Sequence, residues 1–159
     1  MICSNIKIFS QKVQKNNLIV NTILEVNANF DIIFIQEPSW STICSIPSSQ
    51  NCEEETLVGV VNHPNWLTFT RTSESENDFL RIIIYVNIRL SPFCFSLCKD
   101  VMTHRDILLV SFFNSNNVFW LMNIYSDSSY SALKYLKNTE ASIQNLLIMT
   151  SNFNIWDSL

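Results

Sequence analysis

Three polar stretches, far apart in the sequence, hold residue types from which a chemical site could be built. Glu37 ends the run Asp31-Ile-Ile-Phe-Ile-Gln-Glu-Pro38, residues 123–127 end a second apolar run, and Ser151-Asn-Phe-Asn154 ends a third. In layered α/β proteins such strand ends carry chemistry, because the sheet fixes the backbone while the side chains beyond it stay free to face a ligand. Glu37 brings a carboxylate, Tyr125 a phenol, and Asn123, Asn152 and Asn154 bring neutral amides. Each position also has a plainer reading. Residues 151–154 read as a polar turn, Glu37 as an exposed carboxylate at a strand end, and Tyr125 as a core or rim aromatic.

Cysteine and histidine chemistry is less promising. The five cysteines, Cys3, Cys44, Cys52, Cys94 and Cys98, include no Cys-x-x-Cys pair, and the histidines are His63 and His104. A zinc site from Cys94, Cys98 and one histidine lacks the paired spacing that such sites use. Buried free thiols are the expectation.

Composition narrows the function classes. The 159 residues suit one domain, residues 1–159, with 47% hydrophobic and 15% charged residues, well inside the globular range. A net charge of -4 argues against a strong non-specific grip on nucleic acid. It leaves room for a metal-dependent phosphodiesterase, where a divalent ion bridges an acidic cleft to phosphate. No apolar run approaches the ~18 residues of a spanning helix, and the start Met-Ile-Cys-Ser-Asn-Ile-Lys lacks the pattern of a signal peptide. The expectation is an intracellular protein, nuclear or cytoplasmic, without membrane contact. Gly59 is the single glycine, so tight turns must rely on Asn, Asp and Ser.

The elements that position these residues can be read from periodicity. Ile6, Ile8 and Val13 bracket a first strand, and residues 16–29 carry Leu18, Ile19, Ile23 and Val26 at helical spacing behind an Asn16 or Asn17 cap. Residues 31–38 form a short strand closed by a proline, and residues 39–55 a surface loop. Residues 57–61, 66–70 and 81–86 read as strands in hairpin-like succession; 107–113 and 118–125 are two more, joined by Asn114-Ser-Asn-Asn117. Asp127 or Ser128 is expected to cap a second helix with Ala132, Leu133, Leu136 and Ile143 inward. Leu146 to Met149 form the last strand, and Ser151 to Asn154 the loop that leaves it. Strands in two groups with helices outside make a layered α/β sandwich.

With those segments in order, the chain resembles the endonuclease/exonuclease/phosphatase superfamily, in particular the endonuclease domains of LINE-type (non-LTR) retrotransposons. Ile35-Gln-Glu-Pro38 resembles the family strand that ends in a metal-binding glutamate. Asn123-Ile-Tyr-Ser126 resembles its Asn-x-Tyr segment, and Ser151-Asn-Phe-Asn154 its Gly-Asp-Phe-Asn motif. His104-Arg-Asp106 and Arg81 before Ile-Ile-Ile-Tyr-Val-Asn extend the likeness over essentially the whole chain. The resemblance implies a four-layer α/β sandwich of two mainly antiparallel sheets flanked by helices. It also implies DNA as partner and Mg²⁺ or Mn²⁺ as cofactor, held by Glu37. Tyr125, Asn152 and Asn154 would then be the catalytic positions, with Asn123, Arg105 and Lys12 near phosphate.

The departures matter as much. Asn152 stands where the family has aspartate and cannot take a proton, so general-base help worth about 10² to 10⁴ should be lost. Lys12 replaces an asparagine, which would set a cation beside the metal position. The resemblance further implies a sandwich incomplete at its C-terminal side, short of the family's last strands and closing Asp-His pair. An unpaired sheet edge would then invite self-association. Three readings follow: an endonuclease domain with little or no remaining activity, a non-catalytic remnant that binds nucleic acid or protein, or an unrelated α/β interaction domain.

Overall fold

The computed structural model describes residues 6–39, 46–47, 54–55, 61–70, 81–90, 94–98, 100–114, 117–139 and 146–153. In chain order the elements are β1 (Ile8–Lys12), α1 (Asn17–Val26), β2 (Ile32–Gln36), β3 (Ile46–Pro47), β4 (Glu54–Glu55), β5 (Trp66–Phe69) and β6 (Ile82–Asn87). They are followed by β7 (Cys94–Leu97), β8 (Ile107–Asn114), β9 (Asn117–Ser126), α2 (Ser131–Asn138) and β10 (Leu146–Phe153).

Two four-stranded sheets form, with orders β1-β2-β6-β5 and β10-β9-β8-β7, beside a small β3-β4 ladder. In the first, β1 runs parallel to β2, while β2–β6 and β5–β6 are antiparallel. The second repeats this scheme: β10 is parallel to β9, and β9–β8 and β8–β7 are antiparallel. Each parallel pair is bridged by a helix, as a parallel connection requires.

Alternation along the strands explains the layers. Ile32 and Phe34 of β2 with Ile82, Ile84 and Val86 of β6 meet Leu108, Val110 and Phe112 of β8 and Leu121 and Tyr125 of β9 in a core between the sheets. The intervening residues Ile33, Ile35, Ile83 and Tyr85 face the other way, against Val20, Ile23 and Leu24 of α1. On the second sheet Ile107, Leu109, Met122 and Ile124 pack around Ala132 of α2. Strands covered on both faces read as unbroken apolar runs, which is what Ile82-Ile-Ile-Tyr-Val86 is. The result is the expected four layers, helix, sheet, sheet, helix.

Local signals account for the ends of the elements. Asn16 caps α1, accepting from Leu18 N at 3.0 Å and Ile19 N at 3.3 Å. Trp66 Nε1 donates to Leu24 O at 3.0 Å and ties the helix to β5. At the helix exit Arg89 bonds Asp31 Oδ1 at 2.9 Å and the carbonyls of Ala28 and Asn29.

Several expectations need correction. Residues 151–153 are not a loop: β10 continues to Phe153, because parallel pairing with the ten-residue β9 holds Ser151, Asn152 and Phe153 against Ile124, Tyr125 and Ser126. Tyr130, not Asp127 or Ser128, precedes α2; its φ is 55° and its side chain makes no cap bond. Asp127 accepts from Ser129 N and Oγ at 3.0 and 2.6 Å, and the backbone of Ser131, the first residue of α2, also bonds its carboxylate, so it serves the helix start from three residues before Tyr130. The helix closes at Asn138, and Ile143 lies outside the described residues. The strand β7, which lies beside β8, carries no clear alternation and was not legible. Most of the expected loop 39–55 and residues 57–60 lie outside the described residues. Among the described residues no helix is long and apolar enough to cross a membrane.

Candidate active site at the end of the inter-sheet seam

The topology brings the three polar stretches to one end of the sandwich. Strands β1, β2, β9 and β10 all finish there, and β6 and β8 begin there. Asn152 is the backbone partner of Tyr125, so it shares that end with Glu37.

Glu37 sits just past β2 with φ of 50°, in the left-handed region that a glutamate enters only when its surroundings require it. Its backbone explains the requirement. Glu37 N donates to Arg81 O at 2.7 Å, and Glu37 O accepts from Lys15 N at 2.7 Å. These two bonds stitch the turn after β2 to the start of β6 and to the turn after β1, where Gln14 and Lys15 also have positive φ.

The Glu37 side chain reaches across the seam. Tyr125 donates its hydroxyl to Glu37 Oε1 at 2.6 Å, and Lys12 Nζ lies 3.0 Å from the same oxygen. Partial burial pushes the carboxyl up, but the Tyr125 and Lys12 bonds and the charges of Lys12 and Lys15 outweigh it, leaving it below the ordinary carboxylate value. Arg81 lies over the Tyr125 ring at 5.2 Å from its centroid, and Lys12 at 5.9 Å.

Behind this pair stands a second charged group. Arg81 reaches Asp127 Oδ2 at 3.2 Å and Asp106 Oδ1 at 3.5 Å, and Arg105 approaches Asp106 Oδ2 at 3.8 Å. Asp106 is fully buried, and neither of its oxygens has a hydrogen-bond partner. Burial raises its carboxyl above the usual range against the opposing pull of Arg81, Arg105 and His104. Asp127 goes the other way, down to about 2, through the Ser129 hydroxyl first and then the Arg81 bond, against some burial.

Asn123 occupies a different role from the phosphate contact expected of it. It is fully buried between the sheets: its Nδ2 donates to Ile35 O at 3.2 Å and Ile83 O at 3.0 Å, and its Oδ1 accepts from Gln36 Nε2 at 3.3 Å. That makes it a bracket joining the two sheets, with no surface turned to a ligand. Arg105 is exposed at the rim. The Asn152 backbone is in place, and Asn154 lies outside the described residues.

The sequence places Arg81 and Asp106 in the family likeness and Asp127 in the second polar stretch, but assigns none of the three a role in the chemistry. A lone arginine opening an apolar strand was the available signal, since a cation there needs partners at the strand end.

No protein-family model and no curated protein matches this sequence. A structural match does: the endonuclease domain of TRAS1, a telomere-specific non-LTR retrotransposon, superposes with a TM-score of 0.57 at 14% identity. At that identity the likeness is one of fold. The match covers 84% of this chain and 51% of the TRAS1 domain, so the chain spans about half the length of that domain.

An endonuclease-type fold raises the question of whether these residues fit a divalent ion. Among the described residues no three carboxylate, histidine or cysteine groups converge on a metal position. Asp106 and Asp127 are turned to Arg81, and Glu37 already holds an ammonium and a phenol. This donor set does not fit Mg²⁺, which prefers oxygen ligands and several retained waters in an octahedron.

Proposed function

We propose that this chain is a retrotransposon-type endonuclease domain that engages the DNA phosphodiester backbone at the end of its seam and has little or no metal-dependent nicking activity. The fold likeness supports the first half of that reading. One observation carries the second: Glu37 Oε1 is taken by Tyr125 and Lys12. Lys12 and Arg81 are paired with carboxylates, and the exposed Arg105 beside them is the cation best placed to meet phosphate oxygens. The Tyr125 hydroxyl is a donor that could turn from Glu37 to a phosphate. Asn152 can orient a group by hydrogen bonding but cannot remove a proton from water. Binding without cleavage is the chemistry this set of residues favours.

Two measurements test it. Conversion of supercoiled plasmid to open circle, with Mg²⁺ or EDTA, should show no EDTA-sensitive nicking. Fluorescence anisotropy with a short labelled duplex should show salt-sensitive binding weakened by Arg105→Ala. EDTA-sensitive nicking that Glu37→Ala abolishes would sink the claim of lost activity; absence of DNA binding at low salt would sink the claim of a DNA partner.

A further inference from the structure

The surroundings of Glu37 carry a more specific statement about cations. A divalent ion would need to stand about 2.0–2.1 Å from a carboxylate oxygen with room for its waters. At Glu37 Oε1 that volume is held by Lys12 Nζ at 3.0 Å and by the Tyr125 hydroxyl at 2.6 Å. Both charged side chains of the pair are largely shielded, with about a fifth of each exposed (22% and 20%), so solvent screens a second cation poorly.

Lys12 is delivered there by the backbone. It pairs with Gln36 in the parallel β1–β2 register, Val13 N donates to Gln36 O at 2.9 Å, and Lys15 N donates to Glu37 O at 2.7 Å. The ammonium is therefore built into the strand pairing. The remaining charges point the same way. Lys15 adds a positive charge near Glu37, and the nearby aspartates Asp106 and Asp127 are paired with Arg81.

We propose that the Lys12 ammonium is the resident cation of this site, that it keeps divalent metal ions off Glu37, and that replacing it with a neutral side chain opens a metal site there. The proposal concerns the same site as the proposed function but is read without DNA.

The test is titration of the full chain with MnCl₂, following free Mn²⁺ by electron paramagnetic resonance. The variants are Lys12→Asn, Lys12→Gln, Lys12→Arg, and Lys12→Asn combined with Glu37→Gln. Circular dichroism checks that each retains the fold. Expected is at least a tenfold gain in Mn²⁺ affinity for Lys12→Asn or Lys12→Gln, no gain for Lys12→Arg, and loss of the gain in the double variant. Unchanged affinity in both folded neutral variants would overturn the proposal. So would binding by the unaltered chain as tight as in Lys12→Asn and lost on Glu37→Gln. A result as expected alongside absent DNA binding would leave this inference standing and remove the DNA reading alone.

Discussion

The Tyr125 hydroxyl of one sheet lies 2.6 Å from Glu37 Oε1 of the other. This short bond joins strand ends 88 residues apart and fixes the mouth of the seam. Tyr125→Phe keeps the ring and removes the donor, so it reads the bond alone. A hydrogen bond to a charged group contributes ~1.5–3 kcal/mol, and the partial exposure of Glu37 favours the lower end. Thermal unfolding should show a midpoint lowered by about 3–6 °C, and an unchanged midpoint would mean the bond contributes nothing net.

Arg81 and Arg89 provide a matched contrast. Arg81 compensates the fully buried Asp106, whereas Arg89, with 47% of its side chain exposed, covers the mostly buried Asp31 from the surface. Leaving a buried charge without its partner costs ~3–5 kcal/mol, whereas Asp31 keeps its bond from Lys7 N at 2.8 Å when Arg89 is removed, so that loss is smaller. Denaturant unfolding of Arg81→Ala and Arg89→Ala should preserve that order, and equal losses would contradict it.

Acid should weaken the fold through Asp127. Its carboxyl is lowered to about 2 from an ordinary 3.8, so its contribution is fully present above about pH 4 and lost as pH falls toward 2. Asp127→Asn should flatten the stability profile over that window. Asp106 has the opposite sign: its raised carboxyl takes up a proton earlier on acidification, which relieves a buried charge. A profile for Asp127→Asn as steep as the parent's below pH 4 would show that other carboxylates dominate.

Restoring a carboxylate through Asn152→Asp should raise nicking less than about tenfold, because groups that act as a unit are not additive and Lys12 still holds Glu37. Combining Asn152→Asp with Lys12→Asn should exceed the product of the single effects in the plasmid assay. Full recovery from Asn152→Asp alone would mean that Lys12 is no obstacle.

Sheet edges set the behaviour in solution. Among the described residues β10 is the outermost strand of its sheet, paired only with β9. Open backbone groups along such an edge recruit other strands. Sedimentation velocity at increasing concentration should reveal self-association, and a single monomer species throughout would count against it.

How much of this was legible in the sequence depended on what each residue answers to. Unbroken runs such as Ile32-Ile-Phe-Ile-Gln36 and the Asn16 cap speak through local propensity and burial, so β2 and α1 could be read directly. Asn123 could not, since its burial follows from the docking of a second sheet that places Ile35 O and Ile83 O within its reach. The end of β10 was misread because Ser151-Asn-Phe carries turn residues whose propensity is overridden by pairing to β9. Lys12 could be placed near Glu37 only through the family likeness. Nothing in its neighbours in sequence announces a salt bridge 25 residues on.

Each sheet is drawn from its own contiguous part of the chain, β1 to β6 for one and β7 to β10 for the other, apart from the small β3-β4 ladder. Seen as an order of assembly, strand pairing can close within each part before the parts meet. The links Gln36–Asn123, Glu37–Tyr125 and Arg81–Asp127 span 87, 88 and 46 residues, so they depend on large loop closures and on prior sheet formation. The site is then expected to be the last region to mature, which pulsed hydrogen exchange can check by comparing strand amides of β6 and β8 with the Asn123 side-chain amide. A chain arrested midway would own two sheets without the Gln36–Asn123, Glu37–Tyr125 and Arg81–Asp127 links that close the seam between them.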